Sequence, residues 1–525
     1  KIMEYRIYHT IKEIVKHAED TYGSCDAVRY KTGKDTIEAK TYRQIGKDSR
    51  HFSNAIEKLG QQGAHIALIG VTSYPWLVSY FGIVNGGSVA VPLDVALPAE
   101  ELCELMRRAD VTMLVVDDIR KDVVEAAKNT CPFLQYIVSM GQEPVEGCLS
   151  MKDLLAERAE DIRVENTEST RAENAKGTGT EKEIDPDALC TIMFTSGTTG
   201  KSKGVMLTQR NLAENATCLD MKIEENSVIL SVLPIHHAYC LSMDILKGFS
   251  VGSTICINDS LMRVARNIQL FRPQIMLMVP LMIESLAKKL EAAEGLPAEV
   301  VKEKVFGAQF HTIFSGGAYL NPDYIDLFAR YGISVLQGYG MTECAPVIAT
   351  TVAWNQKKDS VGQLLPNCEA KSVDGELWVR GSSVMSGYYK MPEETAAALE
   401  DGWLKTGDLG YVDDEGFVYL TGRKKNLIIT KNGENVSPEE IENKLSIKRL
   451  VAEVLVREAE GVIEAEIFPD HEYAAKAGIE DVPAKLQEII DSYNKDVPAY
   501  KRVFRLKVRK EEFPKTASRK IKRKI

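Results

Sequence analysis

Between residues 64 and 116 short apolar runs alternate with a stretch of helical periodicity, a pattern that few folds accommodate. Residues 64–70, 89–93 and 111–116 read as strands rich in Val, Ile and Leu, and residues 98–108 carry an apolar stripe at helical spacing. A second helix is predicted over residues 10–20. Strands interleaved with helices of this kind predict a layered α/β domain. The chain has 525 residues, more than one hydrophobic core ordinarily serves, so a second domain is expected.

The tail of the chain reads differently. A proline followed by two acids, Pro438-Glu439-Glu440, marks a helix start, because carboxylates are favoured at helix N-termini. Residues 451–456 and 462–468 read as paired strands and residues 484–493 as a helix, ahead of a basic tail. From residue 501 to 524 there are twelve Lys or Arg and only two acids, Glu511 and Glu512. Taken alone, that tail reads as a solvated basic segment or one that meets acidic lipid or nucleic acid. Residues 158–183 are polar and nearly free of large apolar side chains, so they read as an exposed insertion or as a surface helix.

Other classes are disfavoured. A net charge of −10 argues against a general nucleic-acid binder, which needs excess cations against phosphate. The ten cysteines stand singly, without a CxxC pair, as expected of thiols in a reducing compartment; the eight histidines offer no zinc spacing. No apolar run approaches the ~20 residues that span a bilayer. The expectation is a cytoplasmic protein without integral membrane association.

The most informative local feature is a glycine-rich turn after the apolar run 190–194. It reads Thr195, Ser196, Gly197, Thr198, Thr199, Gly200, Lys201, Ser202, Lys203, Gly204. Small residues let backbone amides converge on an anion, and hydroxyls and Lys203 add hydrogen bonds and countercharge, so a phosphate site is one reading. An ordinary polar turn is the other. Although Gly200-Lys201-Ser202 imitates the end of a Walker A motif, the earlier glycine that motif needs would fall at Thr195.

Further motifs follow in order: Tyr339-Gly340-Met341-Thr342-Glu343, Thr406-Gly407-Asp408, Gly422-Arg423-Lys424-Lys425, Gly433, Pro438-Glu439-Glu440-Ile441-Glu442 and Pro514-Lys515-Thr516-Ala517-Ser518-Arg519-Lys520. With the glycine-rich turn, this ordered set resembles the adenylate-forming superfamily of acyl-CoA synthetases, adenylation domains and luciferases. The resemblance implies an α/β and α+β architecture. A large multi-layer N-terminal domain, residues 1–424, would bind ATP and the acyl substrate. A small mobile C-terminal α+β domain, residues 425–525, would carry the adenylation lysine.

It also implies roles. The turn from Thr195 to Gly204 would contact the β- and γ-phosphates, Tyr339 would stack near adenine, and Thr342 would contact the α-phosphate. Glu343 would hold Mg²⁺, an ion that takes oxygen ligands from a carboxylate and substrate phosphates. Asp408 would accept from the ribose hydroxyls, with Arg423 donating to the same sugar. Lys520 would bridge the carboxylate and phosphate oxygens during adenylation. Lys425 would occupy the hinge and Gly433 would flank the pantetheine route of coenzyme A.

On the acid side, Leu233-Pro234-Ile235-His236-His237-Ala238-Tyr239 resembles a substrate motif in which His237 holds the usual position, while His236 packs or caps locally. Gly316, Gly317 and Ala318, with Pro346 and Val347, are expected to line the nucleotide and acyl pockets or else to pack the core. The implied reaction joins a fatty or related hydrophobic acid to CoA through acyl-AMP. Transfer to a free carrier protein, and a non-catalytic nucleotide-binding regulator, are the alternatives. Two residues depart from the family pattern: Ser202 replaces a proline and Arg519 a glycine.

Overall fold

The computed structural model describes residues 5–156, 183–195, 201–293, 295–357, 359–430, 434–515 and 521–523. Most of the reading at residues 158–183 therefore lies outside the described residues. So do Ser196, Gly197, Thr198, Thr199, Gly200, Gly433 and Lys520.

The predicted alternation forms one sheet of eight strands. In order across the sheet they are Gly387–Tyr388, Lys203–Thr208, Leu189–Thr195, Val89–Leu93, His65–Ile69, Val111–Val116, Tyr136–Ser139 and Leu149–Ser150. Its central strands run parallel. Strands covered on both faces are apolar throughout rather than alternating, which is why Val111–Val116 is almost wholly buried. The helix expected over 10–20 spans Ile11–Tyr22, started by a capping box between Thr10 and Glu13. The one expected over 98–108 spans Ala99–Arg108, with Glu100 and Glu101 in its first turn and Arg107 and Arg108 in its last.

A second sheet has nine strands, in the order Gln363–Leu364, Val347–Thr350, Ser334–Gly340, Thr312–Ser315, Ile275–Met278, Val228–Ser231, Thr254–Ile257, Asp26–Lys31 and Ile37–Thr41. Buried side chains of both sheets and of the helices Ile11–Tyr22, Tyr42–Lys58 and Tyr74–Asn85 join in one large core. The apolar stretch near residue 275 is divided between the strand Ile275–Met278 and the helix Pro280–Ala292. Among the described residues no helix is long and apolar enough to cross a membrane.

The third sheet departs from the sequence reading. Residues 403–412 form a single ten-residue strand, Trp403–Val412, paired with Glu376–Gly381 and Val418–Arg423. Along it the buried face carries Leu404, Thr406, Asp408 and Gly410. Polar side chains on the inward face erase the apolar alternation by which a strand is recognised.

Residues 428–508 build a core of their own around Val436, Ile441, Val456, Ile467 and Ile490. Its hairpin, Val451–Ala459 with Val462–Pro469, and the helices Pro438–Ser446 and Val482–Lys495 match expectation. The basic tail differs, because Arg505–Val508 adds a third strand parallel to Val462–Pro469. Nor is its charge free. Lys515 meets Glu453 and Glu512, and Arg523 meets Glu439 and Glu442. Lys507 and Arg509 both meet the buried Glu466. Part of the tail's cationic charge is thus matched inside its own domain.

Candidate active site

The glycine-rich segment begins and ends on two paired strands. Leu189–Thr195 and Lys203–Thr208 pair antiparallel, and Thr195 lies opposite Lys203 in the last register pair. The strand Gly387–Tyr388 joins the outer edge of Lys203–Thr208 and sets Tyr388 beneath Lys203, whose Nζ stands 4.7 Å from the ring centroid. Tyr388 in turn donates its hydroxyl to Glu343 Oε1 at 2.9 Å. Lys203 and Glu343, 140 residues apart in the chain, are thus linked through one aromatic ring.

Thr342 and Glu343 sit on a single 3-10 turn, Thr342–Cys344, after the strand Ser334–Gly340. The helix Gln209–Thr217 pins the turn through Asn215, whose Nδ2 donates to the carbonyls of Cys344 and Val347 and whose Oδ1 accepts from the Val347 amide. Ser242 Oγ donates to the Ala345 carbonyl. Gly340 is required here, because a Cβ on it would fall 1.9 Å from the Pro346 carbonyl oxygen.

Tyr339 and Asp408 meet directly, Oη donating to Oδ2 at 2.7 Å, and Arg423 Nε lies 2.6 Å from the other carboxylate oxygen. Tyr339 and Asp408 are buried, while Arg423 is largely exposed. Burial and the Asp408 charge push the Tyr339 phenol well above its ordinary value, so it remains a donor. The strands Trp403–Val412 and Val418–Arg423 place Asp408 opposite Arg423. Glu376 braces both, accepting from the Gly407 amide and pairing with Lys424 at 2.8 Å. Lys425 lies on the exposed turn Lys424–Asn426 that follows.

The two histidine rings lie 4.3 Å apart between centroids and are tilted by 50°. His236 Nε2 approaches Asp94 Oδ1 at 3.7 Å, and burial lowers its pKa to about 4, which leaves it neutral at physiological pH. His237 is more exposed, and burial of its ring also lowers its pKa. Gly316 ends the strand Thr312–Ser315, where a Cβ would meet the Tyr239 ring at 3.0 Å; Gly317 and Ala318 are exposed beyond it. Tyr239 continues into a seven-residue π-helix, Cys240–Leu246, an element that sequence periodicity does not announce.

Between this helix and the second sheet lies an apolar cavity of about 20 Å³, lined by Tyr239, Met243, Leu277, Phe314, Gly338 and Val347 among others. Gly338 precedes Tyr339 in the strand Ser334–Gly340, and neither Tyr339 nor Asp408 lines the cavity. Ala318 and Pro346 are not among its lining residues. Tyr388, Asn215 and Ser242 were not identified from sequence, since each acts through a partner far away in the chain.

A carboxylate on the turn Thr342–Cys344, a buried tyrosine–aspartate pair joined by an exposed arginine, and an apolar cavity make up the candidate site. The comparisons give the class: residues 16–389 match the family described as AMP-binding enzyme and residues 425–525 its C-terminal domain, so the chain belongs to that family. It has the two-domain adenylate-forming architecture, a large mixed α/β domain followed by a smaller α+β one.

A 4-coumarate–CoA ligase-like protein of Oryza sativa is 29% identical, over 93% of this chain and 88% of its own. A long-chain-fatty-acid–CoA ligase of Rattus norvegicus is 25% identical, over 84% of this chain and 68% of its own. Among solved structures, the o-succinylbenzoate CoA synthetase of Bacillus subtilis with its acyl-adenylate intermediate superposes with a TM-score of 0.75 at 26% identity, covering 97% and 96% of the two chains.

Proposed function

We propose that this protein is an AMP-forming acid–thiol ligase that activates a fatty or related hydrophobic carboxylic acid with ATP and passes the acyl group to coenzyme A. The observation that carries the reading is the Tyr339–Asp408–Arg423 cluster beside Glu343 in a chain matched by both domains of the family. Asp408 offers carboxylate lone pairs to a ribose, and Tyr339 offers a ring face to adenine. The segment from Thr195 to Gly204 would contact the β- and γ-phosphates. Residues 1–424 and 425–525 would be the two functional domains.

In the first step a carboxylate oxygen attacks the α-phosphorus. A new P–O bond forms, the bond to the β-phosphate oxygen breaks, and pyrophosphate leaves with its electron pair. Thr342 would donate to the α-phosphate and Lys520 would neutralise the crowded oxygens. His237 would orient the acid at the cavity mouth. In the second step a thiolate attacks the acyl carbonyl and AMP leaves; Lys425 would serve as the hinge between steps and Gly433 would border the thiol channel. Transfer of the acyl group to the phosphopantetheine thiol of a free carrier protein is the competing outcome.

Glu343 fits Mg²⁺. Its Oε1 takes the Tyr388 hydroxyl, and no trio of His, Cys, Asp or Glu suited to a fully protein-held ion occurs among the described residues. An ion held by one carboxylate and nucleotide phosphates is the arrangement Mg²⁺ commonly adopts, and it would offset phosphate charge.

The test separates the two steps. Lys520→Ala should lose adenylate formation while it still converts supplied acyl-AMP and CoA to thioester. Equal loss of both steps in a folded variant would refute the assignment of Lys520. Pyrophosphate and AMP release across fatty acids, with CoA or carrier protein as acceptor, identifies the products. Nucleotide binding without acid-dependent turnover would point to a regulator instead.

A further inference from the structure

Lys247 is buried where a hydrophobic-acid pocket would want no charge. It is 2% exposed, it follows the π-helix Cys240–Leu246, and it lines the same cavity as Met221, Ile223, Met243, Leu277 and Phe314. Its Nζ donates to the Leu219 carbonyl at 2.8 Å and stands 5.4 Å from the centroid of the Tyr5 ring. An ammonium has three N–H bonds to satisfy, and one carbonyl with one ring face leaves it under-coordinated. The nearest carboxylate in its field, Asp220, is paired with Lys222. No salt bridge to Lys247 is found among the described residues, and burial pulls its pKa down to about 8. A buried cation with no counterion among the described residues is costly, and leucine or methionine would fill the same wall without that cost.

We propose that Lys247 is a specificity residue that receives a second, terminal carboxylate, so that the acid activated here is an α,ω-dicarboxylic acid or a closely related acid with an anionic tail. The inference rests on the acid–thiol ligase reading and narrows its substrate class. One carboxylate would sit beside Tyr339 and Glu343, where the nucleotide would bind under that reading. The apolar wall would hold the methylene chain, and the distal carboxylate would complete the coordination of Nζ in a low-dielectric setting where a charge-assisted hydrogen bond is strong. The cavity itself holds about one water. The flexible side chains of Met221 and Met243 are the parts of the wall able to yield to a chain.

The full-length protein is assayed for acid-dependent pyrophosphate release with adipic, suberic and sebacic acids against hexanoic, octanoic and decanoic acids. The proposal expects kcat/KM to favour one diacid over its monoacid by about tenfold or more, the discrimination expected of a hydrogen bond to a charged group. Lys247→Met should reverse that order by lowering diacid turnover and raising monoacid turnover. Lys247→Gln, which keeps a donor for the Leu219 carbonyl but removes the charge, serves if the methionine variant does not fold. A wild-type enzyme that prefers monoacids, or treats the two alike, overturns the proposal. A variant that loses both substrates equally assigns Lys247 a structural role and also overturns it. Absence of turnover with every acid, diacids included, would instead count against the ligase reading itself.

Discussion

Tyr388 donates its hydroxyl to Glu343 at 2.9 Å while its ring lies under the ammonium of Lys203. One side chain therefore couples the strand Lys203–Thr208 to the carboxylate proposed to hold Mg²⁺. Burial and the Glu343 charge raise the Tyr388 phenol, so it stays protonated and donates throughout the working pH range.

Tyr388→Phe keeps the ring under Lys203 and removes only the hydroxyl. A hydrogen bond to a charged group contributes about 1.5–3 kcal/mol, which corresponds to roughly tenfold or more in kcat/KM for ATP. Pyrophosphate release titrated against ATP at fixed Mg²⁺ measures it, with little change expected in thermal stability. An unchanged ATP dependence would show that Glu343 needs no such partner.

Gly340→Ala should destabilise the protein by about 3 kcal/mol, because the added methyl would meet the backbone carbonyl of Pro346 rather than a side chain able to move. The same carbonyl accepts from the Met341 amide, so relief of the clash would disturb the turn that bears Thr342 and Glu343. Gly375→Ala is the control. It has open space around its Cβ position and suffers only the strain of a positive φ. Thermal melts of the two variants should differ clearly, with Gly340→Ala the lower.

Asp244 supplies a pH dependence. It is fully buried on the π-helix, its Oδ2 accepts from Ser231 Oγ at 2.7 Å, and burial lifts its pKa from 3.8 to about 7. A carboxyl whose folded pKa is raised favours folding most below its unfolded pKa, and that contribution is lost as pH rises through the folded value. Between about pH 4 and 7 the wild type should therefore lose stability relative to Asp244→Asn. The difference should have a slope of up to about 1.4 kcal/mol per pH unit. Urea titrations of both proteins across that window measure it, and parallel profiles would contradict a protonated Asp244.

Much of this molecule was legible in its sequence. The parallel strands Val89–Leu93 and Val111–Val116 were visible because strands buried on both faces must be apolar throughout. The helix starting at Ile11 was visible from its periodicity, and the one at Pro438 from its proline and acids. Tyr339, Thr342, Glu343, Asp408 and Arg423 were singled out through the resemblance of their motifs to the adenylate-forming superfamily, and folding brings Tyr339, Asp408 and Arg423 into contact. The strand Trp403–Val412 was mostly missed for the complementary reason, since Thr406 and Asp408 turn polar groups inward where a core pattern would have put apolar ones.

What the sequence determined by itself was the class of chemistry, held in short motifs whose meaning is local. Only the tertiary structure brought Tyr339 to Asp408, 69 residues away, Tyr388 to Glu343, and Asn215 to the turn at 344–347. It alone showed that Lys247 lies in an apolar wall and that part of the basic tail is matched by acids of its own domain. The physical reason is that burial and partnership are properties of surfaces brought together by folding, and a side chain's charge, depth and hydrogen-bond partners are settled by neighbours that its own stretch of chain does not contain.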